Sequence, residues 1–122
     1  LLERDLSNTS YAEERYTDKI SFVIHKMNTE YNTNATLEEY AALCNMSKYH
    51  FLRVFKKTVG VTPLEYRNNI RLEHASDMLR DQNVSVEQVS AQLGFSSASY
   101  FSTVFKGRYG VSPKQYQKNF CK

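Results

Sequence analysis

The chain has 122 residues, 41% hydrophobic and 24% charged, with a formal net charge of +3. That size bounds it to one domain or two very small subdomains, and the composition excludes a disordered polymer. No apolar run approaches the ~20 residues that span a bilayer, and no signal-peptide pattern opens the chain, so no membrane role is expected.

Two cysteines, Cys44 and Cys121, make no disulfide framework. Cys44 reads as a small core residue and Cys121 as part of a frayed tail, in a reducing cytoplasm. The chain opens Leu-Leu-Glu in place of an initiator Met, which fits a segment of a longer protein.

Residues 1–16 are polar, weakly periodic and slightly acidic, and read as a linker or a loosely attached helix. From Asp18 to Tyr31, the apolar residues Ile20, Val23, Ile24, Met27 and Tyr31 share one helical face. Thr17 is the expected N-cap and Asn32-Thr33-Asn34 the stop. Thr36-Leu37-Glu38-Glu39 is a capping box for a short helix to Cys44, burying Leu37, Tyr40, Ala41 and Cys44. Asn45-Met46 makes a tight turn, since Asn tolerates the left-handed conformation. Ser47 caps a helix over Lys48 to Val59, which Gly60 closes.

Thr62, Pro63 and Glu65 then open a long helix to Arg80, roughly 27 Å at ~1.5 Å per residue. Its expected inward residues are Leu64, Ile70, Leu72, Ala75, Met78 and Leu79. The scheme then restarts. Ser85-Val86-Glu87-Gln88 is a second capping box, for a short helix to Leu93. Gly94-Phe95 is the turn, Ser96 the expected cap, and Ser97 to Tyr109 the next helix, closed by Gly110. Ser112-Pro113 opens a last short helix to about Phe120.

The restart is an internal repeat. Between Phe51–Tyr66 and Phe101–Tyr116, 8 of 16 positions are identical: Phe51/Phe101, Val54/Val104, Phe55/Phe105, Lys56/Lys106, Gly60/Gly110, Val61/Val111, Pro63/Pro113 and Tyr66/Tyr116. The offset is 49 before the turn (Cys44/Leu93, Asn45/Gly94) and 50 after it, which places one extra residue at the head of the second module's third helix. Two copies are too few for a solenoid, so two related modules are read in one chain. Their bounds are 17–80, which includes the linking helix, and 81–122.

Charge follows the repeat. Residues 1–47 hold 4 cations and 8 acids, whereas residues 48–122 hold 12 cations and 5 acids. No acid follows Glu87. A basic face of this kind suits a polyanion.

A short helix, a tight turn and a cation-rich second helix form the helix-turn-helix pattern, whose second helix lies in the major groove of double-stranded DNA. Phe51, Val54 and Phe55, and their counterparts Phe101, Val104 and Phe105, are the expected inner faces. The outer face of the first module offers Lys48, Tyr49, Leu52 and Arg53 as base contacts. Arg53 can donate two hydrogen bonds to guanine. The second module offers Ser97, Ala98, Ser99, Ser102 and Thr103, a set without a bidentate reader, so weaker direct readout is expected there. Phosphate contacts are expected at Thr36, Ser47, Lys56, Lys57, Ser85, Ser96, Lys106 and Lys114.

No catalytic, metal or cofactor site is expected. His25, His50 and His74 are unclustered, and Glu13-Glu14 and Glu38-Glu39 are sequence neighbours that do not converge. Phosphate loops, Cys/His metal spacings and nucleophile elbows are missing from the sequence. The alternative is a protein-interaction module, docking through some of its nine tyrosines and seven phenylalanines, with weak or non-specific DNA binding.

Residues 18–120 resemble the DNA-binding domain of AraC/XylS-type transcription regulators. The resemblance rests on the two modules, on PLEYRNNIRLEHASDML in the linking helix, and above all on Leu93–Tyr116, LGFSSASYFSTVFKGRYGVSPKQY. It implies an all-α, seven-helix domain of two homeodomain-like helix-turn-helix subdomains joined by the linking helix. It also implies two recognition helices set for successive major grooves, ~34 Å apart. Further implications are promoter activation with RNA polymerase as a partner, and a separate N-terminal sensor or dimerisation domain.

Overall fold

The structure, a computed structural model, describes the backbone of residues 2–120 and the side chains from Tyr16 onward. Cys121 therefore lies outside the described residues. These hold seven helices and no strand: α1 (Leu2–Thr29), α2 (Leu37–Leu43), α3 (Lys48–Val59), α4 (Pro63–Met78), α5 (Val86–Gln92), α6 (Ala98–Tyr109) and α7 (Pro113–Lys118). The chain forms two compact units, residues 1–29 with 35–65, and residues 30–34 with 66–122. The division falls inside α4, after Glu65.

In the first unit, α1, α2 and α3 pack against one another. They bury Ile20, Val23 and Met27 from α1, Tyr40 and Ala41 from α2, Cys44 at its C-cap, and Phe51 and Phe55 from α3. Local chemistry sets the boundaries. Thr36 Oγ1 accepts from Glu39 N–H at 3.1 Å, and the Glu39 carboxylate accepts from Thr36 N–H at 3.4 Å. Asn45 takes φ = 53°, and Ser47 Oγ accepts from His50 N–H at 3.2 Å to open α3.

Two expectations fail at α1. The helix begins at Leu2, so Thr17 lies within it and is not its N-cap. It ends at Thr29, two residues before Tyr31. The Tyr31 ring instead stacks on His74 at 4.0 Å within the second unit. That ring contact and a hydrogen bond from Arg71 Nε to Tyr31 O hold the residue there.

The second unit is built on Leu72, Ala75, Leu79, Val89, Leu93, Phe95, Phe101 and Phe105, with Tyr31, Val104, Tyr109 and Tyr116 packed around them. An aromatic chain runs through it: Phe95–Phe101 at 5.0 Å, Phe101–Phe105 at 5.7 Å and Phe105–Tyr116 at 5.3 Å between centroids. Ser85 and Gln88 form the expected capping box, at 2.8 and 3.0 Å. Leu64, expected inside, is 43% exposed, because the first turn of α4 points that side chain outward.

The two turns repeat one hydrogen-bond scheme. Met46 N–H donates to Ala41 O at 3.0 Å, and Phe95 N–H donates to Ser90 O at 3.1 Å. After the turn the modules part by one residue. Ser97, not Ser96, caps α6, its Oγ accepting from Tyr100 N–H at 3.0 Å. The inserted residue therefore lies in the turn, outside the helix. Ser96 loses the capping role because the offset of 50 already applies at the N-cap, pairing Ser97 with Ser47.

Candidate nucleic-acid interface

Each unit turns one face of its third helix inward and leaves the other open. Phe51 and Phe55 on α3, and Phe101 and Phe105 on α6, are fully buried. Helical spacing then puts Tyr49, Arg53 and Lys56 (i, i+4, i+7) on the far side of α3, and Ser99, Thr103 and Lys106 on the far side of α6. All six are exposed, as is Lys57. Lys48 and Leu52, like their counterparts Ala98 and Ser102, are half-buried at the edges of these faces.

The polar environment of α3 separates its cations. Lys48 Nζ lies 3.4 Å from a Glu38 carboxylate oxygen on α2 and 5.8 Å from the Tyr49 ring centroid. A backbone hydrogen bond at the start of α2, and then the Lys48 ammonium, hold the Glu38 carboxyl below its ordinary pKa. Among the described residues no carboxylate pairs with Arg53, Lys56 or Lys57. Those three project unneutralised from the last two turns of the helix, where its dipole also favours positive charge.

The hydroxyls of α6 are partly committed to its own backbone. Thr103 Oγ1 donates to Ser99 O at 3.0 Å, which leaves Thr103 as an acceptor toward any ligand. Ser97 Oγ is engaged as the cap. Ser99 and Ser102 have no hydrogen bond to another described residue from their hydroxyls. α6 is also fastened to α4 along its length. Asn68 Nδ2 donates to Tyr100 Oη at 2.9 Å, Tyr109 Oη donates to Leu72 O at 3.2 Å, and Arg108 donates to Asn69 O at 2.8 Å and Glu73 Oε1 at 3.1 Å. Arg108 is thereby drawn away from the open face.

Of the expected phosphate contacts, Thr36, Ser47 and Ser85 are spent as helix caps through their oxygens. Lys106 and Lys114 are exposed. Lys114 borders an open groove of about 280 Å³ with Ser85, Val86, Glu87 and Gln117. Most phenylalanines are core, which leaves Phe22, Tyr49, Tyr100 and Phe120 as large aromatics 45–74% exposed.

Sequence reasoning overlooked two buried arginines on α4, Arg67 and Arg71, 8% and 3% exposed. With Ile70 they fall at i, i+3 and i+4, an inward stripe that periodicity could have shown had cations been admitted to it. Among the described residues no three His, Cys, Asp or Glu side chains group as metal ligands, and no helix is long and apolar enough to cross a membrane.

Comparison with known proteins bears on this geometry. Residues 40–119 match the helix-turn-helix domain family. The lactose operon transcription activator of Staphylococcus xylosus is 30% identical over 103 residues, which cover 84% of this chain and 37% of the activator. The regulator MtrA of Neisseria gonorrhoeae is 35% identical over 108 residues, 88% of this chain and 35% of MtrA. The chain thus spans about a third of the length of these two relatives. Among solved structures, the DNA-binding domain of the global transcriptional factor AdpA, in complex with a target DNA, aligns with a TM-score of 0.77 at 26% identity. The alignment covers 83% of this chain and 91% of that one. Two capped helix-turn-helix units, in a chain with these relatives, place it in a family: it belongs to the AraC/XylS-type transcription regulators, as their DNA-binding domain.

Proposed function

We propose that this chain binds double-stranded DNA sequence-specifically, with α3 and α6 each laid in a major groove, successive along the duplex. The observation that carries this reading is the open face of α3, where Tyr49, Arg53, Lys56 and Lys57 are exposed opposite a fully buried phenylalanine pair. In this reading Arg53 takes guanine, while Tyr49 and Leu52 meet thymine methyls. Lys48, held by Glu38, reaches the groove edge. Ser97, Ala98, Ser99, Ser102 and Thr103 give α6 a small, hydroxyl-rich surface that follows groove shape more than base identity. Lys56, Lys57, Lys106 and Lys114 take phosphates, with Thr36, Ser47, Ser85 and Ser96 nearby at helix starts.

The relation to a lactose operon activator favours activation. RNA polymerase is then the natural partner, and the cytoplasm the natural location. The greater length of the relatives leaves room for a sensor or dimerisation domain elsewhere in the full protein. The domain itself carries out no reaction in this account.

The test is the salt dependence of duplex binding, followed by fluorescence anisotropy. Four phosphates neutralised by the four lysines give a slope of log K against log salt of about −3.6. A slope near zero rejects the reading and returns the exposed aromatics to consideration as a protein-docking surface.

A further inference from the structure

The guanidinium of Arg71 donates hydrogen bonds to four acceptors within the second unit. From α4 its Nε donates to Tyr31 O at 2.6 Å, its Nη2 to Thr33 O and Asn34 Oδ1 at 2.9 Å each, and its Nη1 to Gly94 O at 3.1 Å. It also lies 5.4 Å from the centroid of Phe95. Three separate pieces of chain therefore meet on one side chain: α4, residues 30–34, and the turn that precedes α6.

The turn is tightly held where Arg71 grips it. Gly94 adopts φ = 88°, and a Cβ there would lie 2.4 Å from Asn32 O. Backbone thus packs on backbone beneath the guanidinium. Phe95, next in the chain, packs on Phe101 and Tyr100 in the first turn of α6. A displacement at Gly94 passes through Phe95 into the residues that set the direction of the helix.

We infer that Arg71 is a positioning residue for the second recognition helix. Buried to 3% exposure, it is out of reach of DNA and acts through the Gly94–Ser97 turn. The planar fork is essential, because four acceptors lie in different directions and a lysine ammonium cannot reach them together. A small-residue recognition face makes this fixing matter. Serine and threonine reach only a short way from the backbone, so an error in helix placement is not taken up by long side chains. The effect on DNA rests on the function proposed above, whereas the effect on the turn does not.

The experiment compares the wild-type chain with Arg71→Lys and Asn34→Ala by amide hydrogen exchange. Each is then bound to the duplex selected from a random pool and to versions scrambled in one patch at a time. For Arg71→Lys the expected result is exchange about tenfold or more faster from Gly94 to Phe101, as loss of one charge-assisted hydrogen bond already implies, with α5 amides unchanged. Selectivity for the patch read by α6 falls, and selectivity for the α3 patch holds.

Asn34→Ala removes a single acceptor from an exposed residue and gives the same pattern at smaller amplitude. If Arg71→Lys does not fold, Asn34→Ala decides alone. Exchange that is unchanged, or faster uniformly across the unit, overturns the inference. Wild-type chain that binds no duplex sinks the DNA reading, while the exchange pattern still decides the positioning role.

Discussion

Replacing Gly94 and Gly110 by alanine separates two costs that glycine conceals. Both residues take positive φ, 88° and 81°, in the same unit. At Gly110 an added Cβ meets nothing within 4 Å, so Gly110→Ala carries only the left-handed backbone cost. That cost is ~1–2 kcal/mol, offset in part by ~0.4–1 kcal/mol from the stiffer unfolded chain, for a net loss of roughly 1 kcal/mol.

At Gly94 the same Cβ falls 2.4 Å from Asn32 O and 3.0 Å from its carbonyl carbon. Those are backbone atoms, and their neighbours Tyr31 and Thr33 are held by Arg71. Roughly 1 Å of displacement is needed, and strain of that kind costs ~1–3 kcal/mol more. Gly94→Ala should therefore lose about 2–4 kcal/mol. Urea unfolding by circular dichroism measures both, compared at equal m-value. A Gly94→Ala chain no less stable than Gly110→Ala would refute the close approach of the turn to residue 32.

Other predictions concern the recognition face and one carboxylate. Arg53→Ala should weaken binding to the selected duplex by roughly 1–3 kcal/mol and relax preference in one patch, read by competition binding. An equal fall in non-specific affinity would make Arg53 a phosphate contact. Lys56→Ala should weaken all duplexes alike and reduce the salt slope by about 1, and a sequence-selective loss counts against that role. Glu38, with its pKa depressed in the folded chain, adds stability above its unfolded value that fades as pH falls through the folded one. The advantage of wild type over Glu38→Gln should thus be full at neutral pH and shrink as acid titrates the carboxylate. An advantage that persists in acid argues against the carboxylate as its source.

The parts of the fold written in local chemistry were legible in the sequence. The Thr36 and Ser85 boxes, the left-handed Asn45 and the Ser47 cap each follow from a few adjacent residues. So does the alternation of buried phenylalanines with exposed cations on α3. What was missed depends on distant partners. Tyr31 fits the apolar face of α1 by spacing, but its partner His74 lies 43 positions away and wins. Arg67 and Arg71 were left out of the expected inward face of α4, because nothing local announces the carbonyls waiting for Arg71. The shift from Ser96 to Ser97 turns on whether one inserted residue joins the helix or the turn, and adjacent serines give no local preference.

Sequence-specific binding by α3 and α6 is decided by selection of bound sequences from a random duplex pool at near-physiological salt, with footprinting of the winner. Two protected patches about one helical turn apart are expected, the one read by Arg53 more sharply defined. A single patch would contradict insertion of α6. An unenriched pool with no footprint would contradict sequence-specific DNA binding by this domain altogether.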